Sequence, residues 1–222
     1  GPLPPPLMRL PQDIFGQKKG AVRGAAFIGW ANRVYRPATK TKGTVSMTMW
    51  VFGYGSLLWN PGFPVADRVV ARLKGYQRSF CMRSIHHRGT EAEPGLVLAL
   101  DAAPPASCEG IAMEVEAGAE EATLEYLRAR ELISSAYYEA TVSLQLVDGR
   151  VVDAVAYIID AEHDQYCGGL PLEEQAQIIA KAVGGRGPNT EYLFNTADHL
   201  NQIGLQDADL DWLAARVRAI CA

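Results

Sequence analysis

The stretch Met49-Trp50-Val51-Phe52-Gly53-Tyr54-Gly55-Ser56-Leu57-Leu58-Trp59 constrains this chain more than any other. It opens apolar and aromatic, as a buried strand does. Glycine, which strand interiors avoid, then appears at Gly53 and again at Gly55. Glycine lets a backbone turn sharply and lets a ligand come close to the main chain. From pattern alone the stretch reads two ways. It is a strand ending in a plain glycine turn, or a strand running into a loop whose successive amides form a concave site for an anion such as a carboxylate. In the second reading Ser56 adds a hydroxyl and Tyr54 a ring with a polar tip.

The 222 residues suffice for one domain of ordinary size, or one domain plus an extension. Apolar and charged contents of 48% and 21% are those of a globular protein. No apolar run approaches the roughly 20 residues that span a bilayer. Charge is unevenly placed. Residues 1–48 hold eight basic residues against one acid, Asp13, and the rest hold 13 basic and 24 acidic residues. An acidic body argues against nucleic acid as the main partner. The four cysteines, Cys81, Cys108, Cys167 and Cys221, are scattered and read as free thiols in a reducing, cytoplasmic compartment. The adjacent pair His86-His87 is a poor metal motif, because chain neighbours rarely face the same way.

Gly1-Pro2 reads as a scar of tag cleavage. The proline-rich and basic residues up to 48 read as an accessory extension, with Met47 or Met49 as the expected natural start. The organised part is expected over 49–222. Trp59 to Gly62 is a turn. Val69 to Met82 is strand-like around Gly75, with Tyr76, Phe80 and Met82 expected on one face. Ser84 to Pro94 is a polar loop. Gly95 to Leu100 and Cys108 to Val115 read as two strands separated by a proline turn at Asp101 to Ser107. Glu116 to Glu131 has helix composition, with Leu124 and Leu127 on its apolar face. Tyr138, Ala140, Val142, Leu144 and Leu146 alternate with polar residues, and Asp148-Gly149 is a hairpin turn into a returning strand, Val151 to Ile159. Helices follow. One opens at Pro171 and closes at Gly184-Gly185, one is capped by Asn189 or Thr190, and one is capped by Asp207. This order argues an α+β fold with a mixed or antiparallel sheet rather than a doubly wound one.

The run Val51-Phe52-Gly53-Tyr54-Gly55-Ser56-Leu57 resembles the opening of the ChaC-like family, the glutathione-specific γ-glutamylcyclotransferases. Three further pieces match in order: His87-Arg88-Gly89 before Pro94-Gly95, Arg130-Glu131 with Tyr137 six residues on, and Asn189-Thr190-Glu191-Tyr192-Leu193-Phe194. The resemblance runs from Met49 to about Ile220. It implies a small curled β-barrel with helices around it, which periodicity by itself does not show. It also implies a cofactor-free lyase that converts glutathione to 5-oxoproline and cysteinylglycine. In that reaction the substrate's own α-amine attacks its γ-carbonyl, so the protein supplies no nucleophile.

By resemblance Glu131 is the general acid/base, the loop from Val51 to Leu57 binds the glutamyl group, and Tyr192 contacts it. Arg88 reads two ways by its chemistry: a loop arginine that pairs with the glycine carboxylate, or a surface residue. By residue type alone Glu131 is equally a solvated acid at a helix end. Competing acids are Glu91, Glu93, Glu125 and, best placed, Glu139. Arg130 reads as an ion-pair or surface residue. The segment Leu132-Ile133-Ser134-Ser135-Ala136 is longer than the glycine pair of some family members and is closer to the bacterial branch. Three other readings stay open: a cyclotransferase for other γ-glutamyl peptides or amines, a non-catalytic regulatory binding module using residues 8–48 as its arm, and a thiol hydrolase built on Cys81 with His86 or His87.

Overall fold

The computed structural model describes residues 48–222. The expected extension therefore lies outside the described residues, save Thr48. Strand β1 (Trp50–Gly53) divides its side chains between two cores, as the alternation of a strand requires. Trp50 and Phe52 join one buried cluster and Val51 another. Two long strands, β2 (Val65–Ser84) and β3 (Gly95–Val115), form an antiparallel ladder. Helix α1 (Glu120–Glu131) follows, and then the hairpin of β4 (Tyr137–Leu146) and β5 (Val151–Ile159). Its turn needs Gly149, which takes φ of +89°.

Strand β5 returns to lie parallel to β1, with Trp50 opposite Ala154 and Val51 opposite Val155. That pairing closes a barrel in the order β1-β3-β2-β4-β5. All five strands fill its interior, through residues such as Phe52, Leu73, Leu100, Leu144 and Ile158. Outside β1 and β3 a second cluster collects Val51, Leu98 and Met113 under helical residues. These come from α1, α2 (Leu172–Lys181), α3 (Asn189–Gln202) and α4 (Ala208–Ile220), including Leu127, Ile179, Leu193 and Leu213. The architecture is α+β, as expected. A two-residue hairpin, β6 (Val183–Gly184) and β7 (Gly187–Pro188), joins α2 to α3.

Several expectations need correction. Strand β3 runs unbroken through Asp101 to Ser107, where two strands and a turn were expected. The ladder yields there instead: Lys74 pairs with Ser107 and Tyr76 with Ala102, so residues 103–106 of β3, the proline segment, bulge out opposite the single Gly75, which takes φ of +84°. A second register shift between Ser79 and Met82 puts Tyr76, Phe80 and Met82 against three different clusters rather than on one face. Tyr138, expected inward, is 48% exposed, because the hairpin's buried alternation becomes complete only from Val142. Helix α1 starts four residues later than its composition suggested, after a turn at Gly118. Helix α2 ends on Ala182 in extended conformation, and the glycines beyond it build the small hairpin.

Asn189 does not cap α3. Its side chain lies on β3, where Oδ1 accepts the Leu96 N–H at 2.7 Å and Nδ2 donates to the Leu96 carbonyl at 2.7 Å. Gly95 makes room for this clamp, since a Cβ there would sit 2.7 Å from Asn189 Oδ1 and run into the Arg88 carbonyl. Asp207 does cap α4, accepting the Leu210 N–H at 3.1 Å. Because Asn189 is fully buried, Asn189→Ala strands two polar groups of Leu96. We expect a loss of about 3 kcal/mol in stability by urea unfolding.

Candidate active site

Three segments meet where β1 ends. The first is the glycine loop. After Gly53 the chain makes one 3-10 turn, Ser56–Leu58, in which the Leu58 N–H donates to Gly55 O at 2.9 Å, and just past it the Asn60 N–H donates to Ser56 O at 3.1 Å. The leading amides of such a turn have no partner within it. A Cβ added to Gly55 would meet nothing within 4 Å, so that residue borders open space, whereas one added to Gly53 would press on the Met113 side chain at 2.8 Å. The side chains of Val51 and Phe52 are taken up by the two cores. Their main chain is ladder too: Val51 pairs with Met113 and Val155, and Phe52 with Ala112, so neither is set to meet a ligand, contrary to expectation.

The second segment is the end of α1. Leu127 anchors the helix in the outer core, and Glu131 is its last residue. Burial pushes the Glu131 carboxyl above the usual carboxylate range, and the Arg130 guanidinium, with Nε 3.1 Å from Oε1, pulls the other way. Burial prevails, so this acid holds its proton more tightly than one in water.

The third contribution is a group of three tyrosines. The Tyr54 hydroxyl donates to Tyr157 O at 2.8 Å, and the Tyr137 hydroxyl to Leu98 O at 3.3 Å. The Tyr192 hydroxyl accepts the Leu98 N–H at 3.4 Å, which leaves its own hydrogen to donate. Burial raises all three phenols, Tyr192 to about 12, and each also feels the Glu131 charge. They remain neutral donors at any working pH. Arg88 reaches the same place: its guanidinium lies 5.7 Å over the Tyr192 ring and donates to Pro188 O at 3.1 Å.

The rival acid Glu139 is spoken for. Arg128 donates to both its oxygens at 2.8 and 2.7 Å, the Tyr157 hydroxyl donates at 3.0 Å, and Arg128 holds its carboxyl below the usual range. Glu91, Glu93 and Glu125 are exposed. Cys81 is 1% exposed and its thiol is pushed by burial to about 12, while His86 and His87 lie on an exposed loop, so no activated thiol forms. Among the described residues no group of three or more His, Cys, Asp or Glu is placed to hold a metal ion, and no helix is long and apolar enough to cross a membrane.

Two arginines carry more of the site than the sequence suggested. Arg130 touches both the glycine loop and Glu131. Arg78, on β2, donates to the Tyr54 carbonyl at 2.8 Å and the Glu109 carbonyl at 3.1 Å, and its Nε pairs with Asp207 at 2.9 Å. Its position in a strand-like run of mixed polarity gave no sign of this. The adjacency of Arg130 to the candidate acid was the one available signal for the other.

A crystal structure of the selenomethionine-labelled γ-glutamyl cyclotransferase specific to glutathione from yeast matches with a TM-score of 0.69 at 26% identity, over 78% of this chain and 96% of that one. The fold is thus that of the γ-glutamylcyclotransferases, a closed barrel flanked by helices. The model of the ChaC-like protein family matches residues 49–220. The glutathione-specific γ-glutamylcyclotransferase of Escherichia coli K12 is 36% identical over 174 residues, covering 78% of this chain and 74% of that protein. The γ-glutamylcyclotransferase 2-3 of Arabidopsis thaliana is 37% identical over 180 residues, covering 78% and 90%. Human glutathione-specific γ-glutamylcyclotransferase 1 is 34% identical over 174 residues, covering 78% of each. The chain belongs to the ChaC-like family.

The buried Arg78 joins α4 to the glycine loop, and its side chain is only 3% exposed. Arg78→Met leaves Asp207 and two carbonyls without their donor. Chemical denaturation should show it less stable by about 3 kcal/mol.

Proposed function

We propose that this protein cleaves the γ-glutamyl bond of glutathione by intramolecular cyclisation, releasing 5-oxoproline and cysteinylglycine. The observation that carries the reading is Glu131: a carboxyl made a stronger base by burial, beside a glycine loop and three buried phenols. The names of the relatives point to the same substrate.

The chemistry follows from these groups. The substrate's α-ammonium must lose a proton before its nitrogen can attack the γ-carbonyl carbon. Ionised Glu131 takes that proton. The new C–N bond closes a five-membered ring and moves an electron pair onto the carbonyl oxygen. Amides of the Tyr54–Leu57 loop receive this oxyanion and hold the α-carboxylate. Each well-aimed donor contributes on the order of 3 kcal/mol to the transition state. When the bond to the cysteinyl nitrogen breaks, protonated Glu131 returns its proton to the departing amine. In all, the attacking nitrogen gives up two protons and the leaving nitrogen gains two, relayed one at a time. Nothing is oxidised, and no cofactor is called for.

Tyr192, with a hydrogen free to donate, contacts the glutamyl group, and Arg88 beside it meets the glycine carboxylate. We place the activity in the cytoplasm, where glutathione is reduced; the four free thiols suit such a compartment. A wider set of γ-glutamyl peptides or amines is the second reading. The 132–135 segment that follows Glu131, in which Ile133 is 80% exposed and Ser135 is also exposed, is the feature that favours this reading. A substrate panel separates the two.

The assay is 5-oxoproline release from reduced glutathione. Glu131→Gln should fold and lose roughly a thousandfold in turnover; turnover near wild type would sink the reading. For the wild type, kcat/KM should fall on the acid side through a pKa above the ordinary carboxylate range.

Stability tests the same shift. A carboxyl whose folded value is raised contributes its full stability below the unfolded value, about 4, and loses it as pH rises through the folded value. Thermal melting of Glu131→Gln should therefore match wild type near about pH 4 and equal or exceed it near about pH 8.

A further inference from the structure

Arg130 is the penultimate residue of α1, and all three of its guanidinium nitrogens are engaged. Nε lies 3.1 Å from Glu131 Oε1. Nη1 donates to the Asn60 carbonyl at 2.7 Å and to the Tyr126 hydroxyl at 3.1 Å. Nη2 donates to Ser56 Oγ at 2.8 Å. Ser56 opens the 3-10 turn and Asn60 lies two residues past its end, and the two are joined by a main-chain bond of 3.1 Å. One planar group thus spans from the glycine loop to the carboxylate.

A guanidinium has donors only. Ser56 Oγ must therefore be the acceptor in that bond, and its own O–H is left to donate elsewhere, beside the open space at Gly55. Likewise the ion pair puts the Arg130 cation beside Glu131 Oε1, which favours Oε2 as the oxygen that exchanges a proton with a substrate.

We propose that Arg130 is the positioning residue of this site, fixing Ser56 as a hydrogen-bond donor toward the substrate and reserving Glu131 Oε2 for proton transfer. The inference rests on the reading of Glu131 as proton carrier. It assigns Arg130 a part in both halves of that cycle. Burial raises the carboxyl's affinity for a proton, and the neighbouring cation pulls it back toward the ionised form that accepts the first one. A lysine would keep the charge, but a single ammonium on a flexible stem cannot reach Glu131, Ser56, Asn60 and Tyr126 together.

The test compares wild type, Arg130→Gln, Arg130→Lys and Glu131→Gln for 5-oxoproline release across pH. It is paired with infrared titration of the Glu131 carboxyl, assigned by the band lost in Glu131→Gln. Arg130→Gln should move the acid limb of kcat/KM, and the infrared titration with it, up by about one pH unit. Arg130→Lys should keep the wild-type limb yet lose roughly ten- to a hundredfold in kcat/KM, through the loosened loop. A role confined to stability would lower the melting temperature and leave both pH readouts in place, and would overturn the proposal. If Arg130→Gln does not fold, Arg130→Lys decides: wild-type kcat/KM in that variant overturns the proposal. Inactive Glu131→Gln with an unmoved Arg130→Gln limb removes Arg130 alone. Active Glu131→Gln removes both readings.

Discussion

Strand β1 has no free face, and the site depends on that. Trp50 and Phe52 point into the barrel, Val51 points under the helices, and the two edges pair with β3 and β5. Four residues burying a tryptophan, a phenylalanine and a valine on opposite sides cannot slip by one position without turning both cores inside out. The chain leaving this strand therefore starts from a fixed point. Arg78 then holds the Tyr54 carbonyl, and the Tyr54 hydroxyl reaches the Tyr157 carbonyl on β5. The glycine loop is rigid because its root is, and the glycines supply access rather than mobility.

Against that rigid loop the two acids Glu131 and Glu139 show how surroundings divide labour. They lie eight residues apart in sequence, one at a helix end and one on a strand. Glu139 receives a bidentate arginine and a phenol, and stays ionised. Glu131 has the Arg130 cation beside one oxygen and is otherwise governed by burial. The first arrangement closes a surface ion pair. The second leaves burial to dominate and holds the carboxyl above the usual carboxylate range.

What the sequence made legible is what local chemistry decides. The hairpin around Asp148-Gly149, the body of α1, the Asp207 cap and the strand-to-glycine transition at Gly53 all depend on residues within a few positions of one another. What stayed hidden depends on partners far along the chain. Asn189 has the composition of a cap, yet its amide finds Leu96, 93 positions away, because that bond satisfies two main-chain groups instead of one. Strand β3 carries its two prolines in a bulge of its own, residues 103–106, opposite the single Gly75 of β2. Barrel closure itself came from family likeness, since no local pattern specifies that β5 returns to β1. At the site, Glu131 and Tyr192 were named from motif matches, whereas Arg78 and the span of Arg130 follow only from three-dimensional proximity.

The main chain of Leu98 has an unusual position in this arrangement. Its N–H donates to the Tyr192 hydroxyl and its carbonyl receives the Tyr137 hydroxyl, so the two peptide groups flanking one residue orient two of the three phenols. Its side chain lies in the outer core and serves packing alone. A protein can thus change the letter at this position, within the limits of volume, and pass the orienting function on intact. Such a contribution leaves no trace in a column of aligned residues. It is inherited through the path of β3, and comparisons that score side chains will pass over it.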